Sequence, residues 1–79
     1  MNHKQFVEHL VRAIVTEPEV VRVDEDKGRD GLTFFVTVAP NDVGKVIGKN
    51  GRVISSLRYV VSAVAAKSRQ KAFVKVVTD

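Results

Sequence analysis

The sequence predicts a small α+β domain with the element order α-β-β-α-α-β. Three observations lead there. Apolar residues recur at three- and four-residue spacing at the N-terminus and again after residue 50, two central stretches and the last one are β-branched and short, and glycine- or proline-bearing segments separate them. The chain has 79 residues, one domain over 1–79, and a domain of this size buries only about 60% of its unfolded surface. Charge is uneven. Residues 1–40 hold five Lys/Arg against seven Asp/Glu, a net of −2, whereas residues 41–79 hold eight against two, a net of +6. A basic half is the electrostatic footprint expected of a nucleic-acid partner, with a solvated face as the plainer explanation.

The first helix is predicted over about residues 3–15. Asn2 and Gln5 have capping-box spacing, and Phe6, Val7, Leu10, Val11 and Ile14 form its apolar stripe. Thr16 and Pro18 end it. His3 and His9 read as solvent-facing, because there is no cysteine and no carboxylate pair at ligand spacing; no metal or other cofactor is expected. Val20 to Glu25 and Leu32 to Ala39 are predicted strands, joined into an antiparallel hairpin by Asp26-Lys27-Gly28-Arg29-Asp30-Gly31. In the second strand Leu32, Phe34, Val36 and Val38 share a face, and Phe35 points the other way.

Pro40-Asn41-Asp42 closes that strand and is expected to cap a short helix with Val43, Val46 and Ile47 on its apolar side, ending at Gly48. A long helix is predicted over about residues 51–67. Ile54, Leu57, Val61, Val64 and Ala65 lie on one face, with Val53 and Val60 at its edge, an arc of roughly 140°. A third strand, Ala72 to Thr78, follows the polar Lys67 to Lys71 link. No apolar run approaches the roughly 20 residues of a membrane span, and Met1 to Gln5 lack a signal-peptide core, so a cytoplasmic protein with no membrane partner is expected.

Chemistry concentrates in Gly48-Lys49-Asn50-Gly51. Asn50-Gly51 alone would fit a two-residue hairpin, but the adjacent apolar pairs Val46-Ile47 and Val53-Ile54 break a period of two, and helical spacing resumes after Gly51. A phosphate-binding loop of the ATPase type fails on spacing: Gly44 and Gly48 enclose three residues rather than four, and Lys49 precedes Asn50 instead of Ser or Thr. No Ser/His/Asp grouping lies nearby, so an enzyme is not expected. What remains is a glycine turn between two helices, able to bring backbone N–H groups and cations close to phosphate.

Ile47-Gly48-Lys49-Asn50-Gly51-Arg52-Val53-Ile54 resembles the signature of the KH domain, whose GXXG loop grips about four nucleotides of single-stranded nucleic acid. The element order is that of the type II KH domain, which implies a three-stranded mixed sheet with three helices packed on one face. The chain is most similar to small bacterial KhpA-like single-KH RNA-binding proteins. The resemblance implies single-stranded RNA as partner, with Gly48, Lys49, Asn50, Gly51, Arg52 and Lys45 on its backbone and an aliphatic groove, Val46, Ile47 and Ile54, against its bases. A post-transcriptional regulator or RNA chaperone is the role it implies. For Val46, Ile47 and Ile54 the core is the competing explanation, as a solvated side chain is for Lys45.

On the long helix, Ser55, Tyr59, Ser62, Ala63 and Ala66 form a face with little charge, flanked by Arg52 and Lys67, and are dimer-interface candidates. The resemblance implies a homodimer, and pairing with a larger Jag-type (KhpB-like) RNA-binding protein. Two alternatives stay open: an adaptor acting through this helix with incidental nucleic-acid binding, and a binder of single-stranded DNA.

Overall fold

A computed structural model describes residues 2–78 of the chain. Its elements are α1 (His3–Arg12), β1 (Arg22–Gly28), β2 (Gly31–Thr37), α2 (Val43–Ile47), α3 (Arg52–Ala66) and β3 (Ala72–Val76), the predicted order. Short 3₁₀ turns at Pro18–Val20, Pro40–Asp42 and Lys49–Gly51 join them.

The capping box of α1 forms. Asn2 Oδ1 accepts from Gln5 N–H at 2.7 Å, and Gln5 Oε1 accepts from Asn2 N–H at 3.1 Å. The helix is three residues shorter than its apolar stripe predicts, because the chain tightens after Arg12, with Ile14 N–H donating to Val11 C=O at 3.0 Å. Val7 and Val11 are buried, while Phe6, Leu10 and Ile14 pack at the rim of the core.

Pro18 sets a 3₁₀ turn that takes up Val20, so β1 starts at Arg22, two residues later than predicted. It also continues to Gly28, beyond the expected Glu25. Ladder bonds need no apolar side chain, and Asp24, Glu25, Asp26 and Lys27 are exposed on an edge strand. The antiparallel register runs from Arg22↔Thr37 to Gly28↔Gly31, leaving Arg29-Asp30 as the hairpin turn. In β2, Leu32, Phe34 and Val36 are buried, and Thr33, Phe35 and Thr37 are half-buried on the other face.

β3 lies parallel to β2, from Leu32↔Ala72 to Val36↔Val76, so the sheet is mixed, with order β1-β2-β3. A parallel neighbour requires a crossover, and α2, the glycine loop and α3 supply it. The helices pack on one face of this sheet. Val7, Val11, Val46, Ile54, Leu57, Val61 and Ala65 from the helices join Val23, Leu32, Phe34, Val36, Ala72 and Val74 from the strands in one core. The opposite face carries Phe35, set between Asp24 and Lys75, and the exposed Phe73.

The free edge of β3 is partly closed by α3. Lys71, Phe73, Lys75 and Val77 have the parity that bonds β2, so the carbonyls of Ala72 and Val74 point away from it. Ser62 Oγ donates to Ala72 C=O at 3.2 Å and Arg58 Nε to Val74 C=O at 3.0 Å. These contacts align the C-terminal end of α3 with the start of β3.

Candidate nucleic-acid interface

Asp42 fixes where the site begins. It stands at the position before α2, as expected, but does not cap that helix: its backbone is helical (φ −96°, ψ −9°) and its side chain bonds elsewhere. Its carboxylate accepts from Thr16 N–H at 2.9 Å, Thr16 Oγ1–H at 2.8 Å and Glu17 N–H at 3.1 Å. The side chain is completely buried, and it clamps the α1–β1 link to the start of α2. The Thr16 N–H bond holds its pKa below the ordinary 3.8; burial opposes the shift, and the Thr16 hydroxyl, the Glu17 N–H and the Lys45 charge reinforce it.

α2 then runs for only five residues. Gly48 ends it at φ 78°, ψ 171°, with its N–H on Gly44 C=O at 2.8 Å. This backbone conformation is essentially reserved to glycine. A Cβ there would lie 2.4 Å from Val53 Cγ2 and 2.8 Å from both Val53 Cβ and Val53 N, so Gly48 is also required by packing. Asn50 (φ 57°) and Gly51 (φ 72°) are left-handed, a conformation that asparagine tolerates better than most residues. Around Gly51 there is room, the nearest atom to a Cβ being Ile54 Cγ2 at 4.0 Å.

Three kinds of group come together at the loop. Lys49 and Asn50 are exposed at its tip, and their N–H groups donate to no backbone carbonyl among the described residues. Gly51 occupies the N-cap of the 15-residue α3, which therefore has no side chain over its first N–H groups. Lys45, Lys49 and Arg52 are exposed, and none forms an ion pair among the described residues. The aliphatic candidates sit at different depths: Val46 is completely buried, Ile54 is 6% exposed and Ile47 is half-buried. Of the three, Ile47 therefore has the most surface, and it packs against the core that includes the other two.

On α3, Ser55, Tyr59, Ser62, Ala63 and Ala66 are all exposed, Tyr59 at 77%. Ser62 differs from the others because its hydroxyl is engaged with β3. Sequence reasoning missed that bond, the Arg58 bond beside it and the Asp42 clamp. The two edge contacts depend on the register of α3 against β3, which no local pattern encodes. Asp42 carried a signal only as a cap, and its partners lie 25 and 26 residues away. Among the described residues no three His, Cys, Asp or Glu side chains gather in a way that would hold a metal ion.

Comparison with known proteins points the same way. The family described as "KhpA/KhpB, KH domain" matches residues 4–76. The chain is 39% identical over 74 residues to the RNA-binding protein KhpA of Clostridium perfringens, covering 94% of this chain and 99% of that one. It is 44% identical over 68 residues to the RNA-binding protein KhpA of Halalkalibacterium halodurans, covering 86% and 90% respectively. Against the RNA-binding protein KhpA of Mycobacterium tuberculosis it is 49% identical over 61 residues, 77% of this chain and 76% of that one.

Proposed function

The chain belongs to the KhpA/KhpB KH-domain family, and from that premise we propose that it binds single-stranded RNA through the Gly48 to Gly51 loop. The observation that carries this reading is the loop itself: a glycine turn that leaves two N–H groups without a backbone acceptor and an uncapped helix N-terminus beside three cations that form no ion pair among the described residues. Phosphates lie against Gly48, Lys49, Asn50 and Gly51, where the open space around Gly51 permits close approach. Arg52 and Lys45 add charge on either side. Bases rest on the aliphatic surface at Ile47, backed by the core that holds Val46 and Ile54, which offers contact area and few polar groups, so selectivity among sequences is weak. The action is binding, without a chemical step, and an RNA partner places it in the cytoplasm as a post-transcriptional regulator or RNA chaperone.

The test is titration of a short labelled single-stranded RNA with the protein and with its Lys49→Asp/Asn50→Asp variant. With two to four phosphates neutralised, log K falls against log salt with a slope of about −0.7 per phosphate, or about −1.4 to −2.8. The variant is expected to lose binding and keep its melting temperature, since both positions are exposed and aspartate tolerates the left-handed backbone of residue 50. Undiminished binding would remove the loop from the mechanism.

A second element of the reading is self-association through α3. The exposed face of Ser55, Tyr59, Ala63 and Ala66, with Ser62 at its β3 side, supports it by combining a large aromatic ring with small side chains that let another helix approach. A homodimer presents two weak loops to one RNA, and the effective concentration of the second loop supplies avidity. The same face suits a heterodimer with a larger Jag-type RNA-binding protein.

A further inference from the structure

We infer that the end of the sheet remote from the glycine loop carries a second phosphate-binding groove for the same single-stranded RNA, formed by Lys27 and Arg29 of the hairpin and Arg69 and Lys71 of the α3–β3 link. The inference rests on the RNA-binding reading of the loop. The groove holds about 530 Å³, and among the described residues Asp30 is the only acid that lines it. None of these five charged side chains forms an ion pair among the described residues. Four cations around one concavity repel one another and raise the local concentration of anions.

The groove is built rather than a chance gathering of lysines. Leu32 N–H donates to Lys71 C=O at 2.8 Å, tying its two walls together. At Gly31 (φ 141°) a Cβ would lie 2.4 Å from the Lys71 carbonyl oxygen, so the hairpin tip sits directly against the link. α3 ends in a double closure, Arg69 N–H to Ala66 C=O at 2.9 Å and Gln70 N–H to Ala65 C=O at 3.1 Å, which puts Arg69 in the left-handed conformation at φ 57°. Glycine or asparagine is usual there. A cation favoured by the helix dipole is already present in Lys67, whose backbone is ordinary αR, so the dipole does not account for an arginine at the strained position.

A single strand fits this surface better than a duplex. A smaller cavity of about 310 Å³ shares Gly28 to Gly31 with the groove and reaches Phe73, 45% exposed, and Lys75. An aromatic ring beside cations is the means by which unpaired bases are held without sequence preference. The 15 residues of α3 separate this end from the glycine loop by about 22 Å, so the groove meets only strands longer than those the loop holds.

The test compares oligouridylates of four and about twelve nucleotides, at about 50 and 200 mM salt, binding to the intact protein and to Arg69→Gln/Lys71→Gln and Lys27→Gln/Arg29→Gln variants. Two further phosphate contacts steepen the salt slope for the longer strand by about 1.4, an extra loss of about sevenfold across that salt range. Both variants are expected to lose this increment, to bind the tetranucleotide as the intact protein does, and to melt at the same temperature. A gain with length that survives in both variants overturns the inference and assigns the gain to two loops on a dimer. Loss of tetranucleotide binding along with the increment also overturns it, since the groove would then not be separate. Failure of the intact protein to bind either strand overturns the loop reading and this inference with it.

Discussion

Alanine at Gly48 and alanine at Gly51 are expected to have unequal effects, although the two glycines bracket the same loop. At Gly51 the left-handed backbone is the only obstacle, with nothing nearer than 4.0 Å to the added methyl, so Gly51→Ala costs about 1–2 kcal/mol. At Gly48 the combination φ 78°, ψ 171° costs a residue with a side chain about 1–3 kcal/mol. The methyl also meets Val53 Cγ2 at 2.4 Å and Val53 N at 2.8 Å. Val53 has little freedom to yield, because a β-branched residue in a helix has one favoured rotamer and its backbone is the first turn of α3. Overpacking of this kind costs about 1–3 kcal/mol more, for a total of roughly 2–6 kcal/mol at Gly48. A chain of 79 residues has about 4–12 kcal/mol of stability in all. Urea unfolding of both variants under one set of conditions reads the difference. Gly48→Ala is expected to lose a large part of the folding free energy, whereas Gly51→Ala lowers the melting temperature by about 4–8 °C per kcal/mol lost. Equal losses, or a greater loss at Gly51, would refute the assignment of Gly48 as the packed glycine.

Other consequences involve the clamp and the helix face. Because the pKa of Asp42 is lowered in the folded state, its ionised form stabilises the fold above the unfolded value near 3.8, and that contribution disappears as pH falls through the lower, folded value. The urea midpoint should therefore begin to drop as pH falls below about 5 and go on dropping through the lower, folded value, and Asp42→Asn should both lower it at neutral pH and flatten the acid decline; an unchanged acid decline in the variant would exclude Asp42 as its source. On α3, Ala63→Glu should convert a dimer to a monomer in light scattering while altering monomer stability by no more than about 0.5 kcal/mol, as usual for an exposed position. A strict monomer at high concentration in the unsubstituted protein would count against self-association.

The parts of the fold legible in the sequence are those set by local physics. The Asn2/Gln5 capping box, the alternation of Leu32, Phe34 and Val36, and the Ile54, Leu57, Val61 and Ala65 stripe each carry their own period, and each is found in the structure. Gly48 and Gly51 are expected from the sequence to form a turn between helices, and both take positive φ. What escaped depends on distant partners. The extension of β1 over Asp26, Lys27 and Gly28 has no apolar signal, because the strand is held by ladder bonds to β2 at an exposed edge. The mixed sheet is expected, but the strand order β1-β2-β3 is set by pairing between segments far apart in the chain, which no local pattern encodes. Asp42 looked like a helix cap because its sequence neighbours are turn residues, yet its hydrogen bonds go to Thr16 and Glu17. For Val46 the core is the safer of the two sequence-based expectations, and the structure buries it completely.

RNA held by the glycine loop leaves a direct trace in the cell. Ultraviolet crosslinking in cells, followed by isolation of the protein and separate digestion with ribonuclease and deoxyribonuclease, compares the intact chain with Lys49→Asp/Asn50→Asp most directly. RNA binding by the loop predicts a ribonuclease-sensitive adduct on the intact protein that the variant lacks. Equal adducts on both proteins, an adduct sensitive only to deoxyribonuclease, or none on either would contradict it.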